Sequence, residues 1–293
     1  MRVLLTGASG QVGHEIERLT LAGFDLLART SSQLDITDAS AVFAAASEYK
    51  PDIIMNAAAY TAVDQAESEA ERAWSVNKTG PANLAKAAQS VGAAVFHLST
   101  DYVFAGDSKG AYRETDAPGP TGVYGASKLA GEQALMAGVR RSLILRTSWV
   151  FGVHGKNFVK TMLKMGGERE ELRVVTDQRG CPTSAASIAR CLWELAARYQ
   201  KAEDLQWGTY HFAGSPDCTW HDFAQEILNR ALQSGLLHRL PVLRPITTRD
   251  YPTPAQRPAC SVLDCSQIQH TLGIRQPDWR NDLDKVLEEL RQQ

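Results

Sequence analysis

The sequence predicts an α/β protein, a Rossmann-type doubly wound parallel sheet carrying a smaller C-terminal substrate-binding domain. Three observations point there. Short apolar runs alternate with alanine-rich helical stretches through the first half of the chain; the first run, Val3-Leu4-Leu5, opens directly onto a turn containing Gly7, Gly10 and Gly13. After Phe151 the alternation gives way to shorter segments punctuated by Gly152, Gly155, Gly166-Gly167 and Gly180. At 293 residues and 44% hydrophobic composition the chain can bury a large core, as one large or two unequal domains.

Val3-Leu4-Leu5 is a short buried strand, and Val12, Ile16 and Leu19 give the next segment helical spacing. Further strands are expected near Phe24 to Ala28, at Ile53-Ile54-Met55, from Ala94 to Leu98 and from Leu143 to Leu145, with helical stretches at Ala70 to Val76 and Pro81 to Val91. Continuously apolar strands are buried on both faces, as in a parallel sheet covered by helices. Downstream, Leu172 to Val175 is a strand candidate, Ser187 to Tyr199 a helix, and Tyr210-His211-Phe212 a strand returning to the main sheet. The expected division is a Rossmann domain over residues 1–152 and a mainly substrate-binding domain over 153–293, with parts of about 184–213 rejoining the first. Pro241 to Pro258 reads as a long ordered surface segment, and Leu283, Val286, Leu287 and Leu290 mark a terminal amphipathic helix.

The formal net charge is −2 with no long basic run, so the electrostatic footprint of a nucleic-acid binder is missing. Small metabolites are the expected partners. No stretch approaches the roughly 20 apolar residues that span a bilayer, and Met1 to Ala8 enters a strand and a glycine turn without the apolar core of a signal peptide. A cytoplasmic protein without membrane contact, monomeric or homodimeric, is expected. Its five cysteines, Cys181, Cys191, Cys218, Cys260 and Cys265, are scattered and odd in number, which fits reduced structural thiols. The seven histidines show no ligand spacing, so they give no support to a metal centre.

Chemistry concentrates at the carboxyl ends of the strands. Thr6-Gly7-Ala8-Ser9-Gly10-Gln11-Val12-Gly13 follows the first strand and opens a helix, the context of a phosphate-binding turn. Glycine lets the backbone approach a pyrophosphate, and a helix N-terminus favours its charge. Gly7, Ser9, Gly10, Gln11, Val12 and Gly13 are therefore cofactor candidates, although their G-x-x-G-x-x-G spacing departs from G-x-G-x-x-G and three glycines also make a plain turn. At the end of the second strand stands Ala28-Arg29-Thr30-Ser31-Ser32, one cation and three hydroxyls with no acid. That favours NADP(H) over NAD, because an arginine accommodates a 2′-phosphate; a solvated loop arginine is the other reading. Asp35, Ile36 and the small residues Ala57, Ala58 and Ala59 complete the cofactor candidates, the alanines suiting close-packed core equally well.

Ser99-Thr100-Asp101-Tyr102 follows the Ala94 to Leu98 strand, and Tyr124-Gly125-Ala126-Ser127-Lys128 lies beyond a glycine- and proline-rich loop. Residues i and i+4 share a helix face, so the Lys128 ammonium can sit beneath the Tyr124 ring and favour its phenolate. Y-x-x-x-K alone arises by chance on exposed helices; downstream of a dinucleotide turn it suggests acid/base chemistry on a carbonyl. In a reductase, Tyr124 protonates the emerging alkoxide, Thr100 hydrogen-bonds the same oxygen, and Lys128 lowers the tyrosine pKa and reaches the cofactor ribose.

G-A-S-G-Q-V-G, N-A-A-A-Y-T-A-V-D-Q-A-E, S-T-D-Y-V-F, Y-G-A-S-K-L-A-G-E, R-T-S-W-V-F-G and Y-P-T-P-A-Q-R-P run over nearly the whole chain. As a set they resemble the extended short-chain dehydrogenase/reductase family, in its branch of 4-keto nucleotide-sugar reductases. The resemblance implies that Thr100, Tyr124 and Lys128 form the catalytic triad. It also implies that Asp101, Tyr102 and Trp149 line the sugar pocket and that Asn157 and Arg257 contribute to the nucleotide-sugar site. The implied activity is NADPH-dependent reduction of the C4 ketone of dTDP-4-dehydro-β-L-rhamnose to dTDP-β-L-rhamnose, for surface polysaccharide. Two other readings stay open: a reductase of another 4-keto nucleotide sugar, and a non-catalytic NADP-binding module resembling the regulatory subunit of methionine adenosyltransferase. Thr100-Asp101 is followed by Tyr102 where the family's dehydratases carry glutamate, which counts against water elimination. Some members are described with magnesium held by acidic side chains. Glu15 is present, but Pro182-Thr183 is followed by Ser184-Ala185-Ala186, which does not support the metal or the dimer associated with it.

Overall fold

The computed structural model describes residues 1–201 and 205–292. Six parallel strands form the central sheet, in the spatial order Gly208–His211, Ser142–Thr147, Ala94–Thr100, Ile53–Asn56, Arg2–Thr6 and Asp25–Arg29. Because side chains alternate along a strand, consecutive apolar residues feed two different cores. Val3, Leu5, Ile53, Met55 and Phe96 pack on one face with Val12 and Ile16 of helix Gln11–Arg18 and with Ile188 and Leu192 of helix Ala185–Gln200. Leu4, Ile54, Val95 and Ile144 pack on the other, against helices Ala39–Tyr49, Gly80–Val91 and Val123–Gly138. The sheet is thus covered on both sides, as a doubly wound fold requires. Strand Gly208–His211 pairs in parallel with Ser142–Thr147, and Trp193 Nε1 of helix Ala185–Gln200 donates to the Ile16 carbonyl at 2.9 Å.

Strand Arg2–Thr6 has its next strand on one side and the third on the other. Ligands of open α/β sheets bind outside the carboxyl ends of the strands at such a reversal. The glycine turn and the N-A-A-A segment therefore meet there.

A second apolar core gathers Phe151, Val159, Leu172, Phe223, Trp279 and Leu283. It is built from helices Phe158–Glu168, Trp220–Gln233 and Trp279–Arg291 and from the parallel pair Glu171–Val175 with Val242–Ile246. That last strand lies in the proline-rich stretch expected to be a long ordered surface segment, for which no strand was expected. Pro245 is tolerated because the strand pairs on one side only. A second departure is the helical stretch expected from Ala70 to Val76, which is Ala70–Trp74 continued by a π-helical turn, Ser75–Thr79.

Candidate active site

The glycine turn is shaped by close backbone approach. Gly7 has φ 78°, and a Cβ on it would lie 2.4 Å from the Ala58 nitrogen; a Cβ on Gly13 would lie 2.2 Å from the Gly7 carbonyl oxygen. Gly10 begins helix Gln11–Arg18 in an extended conformation, and no side chain caps that helix. Its first amides are therefore open to an anion. Beneath the turn, Thr6 Oγ1 donates to Asn56 Oδ1 at 2.7 Å, and Asn56 Nδ2 lies 2.9 Å from Nδ1 of His97. Burial holds the His97 pKa well below its ordinary value, so the ring is a neutral acceptor of the amide.

Around this turn, Ser9 is exposed, Val12 is buried in the core, and Gln11 bridges outward. Its Oε1 accepts Asn157 Nδ2 at 2.9 Å and its Nε2 reaches the Val150 carbonyl at 3.5 Å. Arg29 ends the second strand half-buried, and among the described residues its guanidinium meets no acceptor. Asp35 is exposed and accepts the Thr37 amide at 2.9 Å. Ile36 is buried against Gly80, whose Cβ would lie 2.4 Å from Ile36 Cδ1, and Ala57, Ala58 and Ala59 are half-buried. A tight backbone cradle, an uncapped helix start and an unpartnered arginine at the strand end fit a phosphorylated dinucleotide.

The catalytic candidates come together from two elements. Thr100 is the last residue of strand Ala94–Thr100, and Tyr124 and Lys128 lie one turn apart on helix Val123–Gly138, all three buried. Gly125 lets that helix seat on the Asp101–Val103 turn, since a Cβ there would lie 2.1 Å from the Tyr102 carbonyl oxygen. Burial raises the Tyr124 pKa above its ordinary value; the Thr100 hydroxyl beside it pulls the other way, while Asp101 and Tyr102 raise it further. Lys128 is not the group that lowers it. Its Nζ donates to the Leu98 carbonyl at 2.7 Å, and burial brings its pKa down to about 8, opposed by the Glu132 charge one turn on. The lysine effect expected from spacing is therefore absent here, and the phenol is held protonated.

Asp101 is 3% exposed, and burial raises its carboxyl to about 6. Tyr102 packs edge-on to Tyr124 with ring centroids 5.5 Å apart, and Arg257 Nη1 reaches its hydroxyl at 3.4 Å. Trp149 follows strand Ser142–Thr147 by two residues. It has φ 46°, stacks on Trp220 at 3.6 Å, and covers Gly180 so closely that a Cβ there would lie 2.4 Å from its ring. Asn157 caps helix Phe158–Glu168 through the Lys160 amide at 3.1 Å and donates to Gln11 and Gly152, so its contacts join the glycine turn rather than Tyr124.

Sequence reading passed over several supporting residues. Glu132 forms a buried pair with Arg146, Nη2 to Oε2 2.7 Å, and accepts Ser99 Oγ at 2.5 Å; its i+4 spacing from Lys128 was the available signal. Glu67 Oε1 accepts the Val123 amide at 2.8 Å, at the positive end of the catalytic helix. Asn77, in the π-helical turn, binds both the amide and the carbonyl of Tyr60 and the Ser127 hydroxyl.

The residues do not fit magnesium. Glu15 is paired with Arg18 at 2.6 Å, and Asp282 is engaged by Ser184, Ser187, Arg190 and Lys285. Among the described residues no three His, Cys, Asp or Glu side chains form a metal-sized group. All five cysteines are buried and free, and burial raises the Cys181 thiol to about 12. No described helix is long and apolar enough to cross a membrane.

A family model described as RmlD substrate binding domain matches residues 1–292. The dTDP-4-dehydrorhamnose reductase of Aggregatibacter actinomycetemcomitans is 46% identical over 97% of this chain and 98% of its own length. Among solved structures, the dTDP-4-dehydrorhamnose reductase of Clostridium acetobutylicum superposes with TM-score 0.92 at 38% identity, covering 99% of this chain and 100% of that one. The Bacillus anthracis enzyme of the same name, solved in complex with NADP, gives TM-score 0.91 at 37% identity, covering 98% and 99%. A shared architecture, a shared set of motifs and near-complete mutual coverage lead to one conclusion: the chain belongs to the RmlD family, that of the dTDP-4-dehydrorhamnose reductases.

Proposed function

We propose that the chain reduces the C4 ketone of dTDP-4-dehydro-β-L-rhamnose to dTDP-β-L-rhamnose with NADPH. The observation that carries the reading is the buried grouping of Thr100, Tyr124 and Lys128, at the same carboxyl edge of the sheet as an open glycine turn, in a chain that matches reductases along its full length. Bound NADPH supplies the hydride. Tyr124 keeps its proton at neutral pH because burial disfavours the phenolate, and it delivers that proton to the C4 oxygen as negative charge develops there. Thr100 orients the phenol, and Lys128, held by the Leu98 carbonyl, reaches the cofactor ribose. Asp101, Tyr102 and Arg257 are the residues proposed to hold the sugar and diphosphate, a reading supported by the contacts of Tyr102 with both Tyr124 and Arg257.

A complete set of proton-transfer groups favours catalysis over a regulatory module. Buried, unpaired cysteines support a reducing compartment, and action in the cytoplasm is part of the same proposal. The test is to incubate the purified protein with enzymatically made dTDP-4-dehydrorhamnose and either NADPH or NADH, then identify the sugar product. Formation of dTDP-rhamnose with NADPH supports the proposal. Turnover only with another 4-keto nucleotide sugar contradicts the substrate, and NADPH binding without any turnover moves the regulatory reading forward.

A further inference from the structure

We infer that Asp64 is a positioning residue that holds Arg257 ready for the diphosphate of the nucleotide sugar. This rests on the function proposed above and adds to it a residue that the catalytic motifs do not include. Asp64 lies on the short helix Val63–Ala66, just after the N-A-A-A segment. Its Oδ2 accepts Arg257 Nη2 at 2.5 Å, and its Oδ1 accepts the Ala255 amide at 3.2 Å. One carboxylate thus grips the Tyr251 to Pro258 segment at two points, across sequence separations of 193 and 191 residues. The far end of that segment is fixed separately. Pro258 packs on Gly106, where a Cβ would lie 2.2 Å from the proline Cβ, and the Cys260 amide donates to the Gly106 carbonyl at 2.9 Å.

A guanidinium carries five N–H donors in a planar fork. Arg257 gives one to Asp64 and one, at 3.4 Å, to the Tyr102 hydroxyl, and its other donors meet no acceptor among the described residues. The Tyr102 ring leans on Tyr124, so Arg257 is one side chain removed from the catalytic group. The side chain as a whole is 19% exposed, and its unused donors are open to a ligand. A planar fork of that kind matches phosphate oxygens bidentately, and a sugar nucleotide presents two adjacent phosphates. Asp64 itself is 39% exposed, and a half-exposed ion pair contributes little to fold stability. Fixing the direction of the fork is what the two-point grip accomplishes, because a long arginine side chain left free must be ordered at the moment of binding.

The experiment is calorimetric titration of dTDP into the NADP-loaded wild type, Asp64→Asn, Arg257→Gln and the double variant, with NADPH titrated separately. The expected result is about a tenfold loss of dTDP affinity in Asp64→Asn, NADPH affinity within about twofold of wild type, and a double variant no weaker than Arg257→Gln alone. In turnover, the substrate KM of Asp64→Asn should rise about tenfold with little change in kcat. Unchanged dTDP affinity in Asp64→Asn, or a double variant that loses the product of the two single losses, overturns the inference. Parallel loss of dTDP and NADPH binding also overturns it, by making Asp64 merely structural. The proposed function fails independently: dTDP binding that depends on Asp64, without reduction of the ketosugar, removes the reductase and leaves the inference standing.

Discussion

The hydroxyl of Thr100 donates to Oδ1 of Asp101 at 2.9 Å, and the same threonine oxygen accepts the Tyr102 amide at 3.2 Å. A hydroxyl has one proton. Spent on Asp101, it ties Thr100 to the buried carboxyl and to the turn that carries Tyr102, while burial keeps the reacting proton on Tyr124.

Asp101 should therefore mark the protein's pH-dependent stability. Burial raises its carboxyl from 3.8 to about 6, so the folded state prefers the protonated form. The stability contributed by that form is fully present below about pH 4 and is lost as pH rises through about 6, roughly 3 kcal/mol in all. Asp101→Asn keeps the shape without the charge. Denaturant melts should show the variant gaining on wild type by up to about 3 kcal/mol between pH 4 and pH 8; a gap that does not change with pH would count against a buried carboxylate.

Gly13→Ala should weaken cofactor binding through packing alone. Its Cβ would fall 2.2 Å from the Gly7 carbonyl oxygen, so the helix start must move off the turn. A destabilisation of about 1–3 kcal/mol and at least a tenfold loss of NADPH affinity are expected by fluorescence titration. Wild-type affinity would show that the turn does not touch the cofactor.

Arg29→Ala should erase the preference for NADPH. The unpartnered guanidinium at the strand end is the group available to a 2′-phosphate. KM for NADPH should rise about tenfold while KM for NADH stays within about twofold. Equal changes in both would remove the arginine from cofactor choice.

Glu132→Gln should strike twice. Glu132 and Arg146 are both nearly inaccessible, so the substitution strands a buried guanidinium at a cost of about 3–5 kcal/mol in denaturant melts. It also removes the charge that opposes the burial of Lys128, whose pKa should fall below about 8. The alkaline limb of kcat that reports loss of the lysine charge should move to lower pH. A limb left in place would separate Glu132 from Lys128.

Much of the sheet was legible because its strands are apolar on both faces: Val3 to Leu5, Ile53 to Met55 and Ala94 to Leu98 each lie within strands of the central sheet. Tyr124 and Lys128 were legible because helix periodicity puts them on one face. The strand Val242–Ile246 was not, because Pro245 reads as a breaker unless a one-sided pairing is known. Helix Ala39–Tyr49 went unread because its apolar residues are mostly alanine, a pattern with weak periodicity. The grip of Asp64 on Arg257 spans 193 residues, and no local pattern encodes such a pair. The state of Lys128 was also beyond spacing, since its hydrogen bond to Leu98 depends on how the helix seats on the strand end.

The central claim is that Tyr124 delivers the proton. Its most direct test is single-turnover NADPH oxidation with saturating dTDP-4-dehydrorhamnose in wild type and Tyr124→Phe, with cofactor affinity measured alongside. The account predicts a loss of about 10²–10⁴ in rate at nearly unchanged NADPH affinity; a variant that oxidises NADPH at the wild-type rate would contradict it.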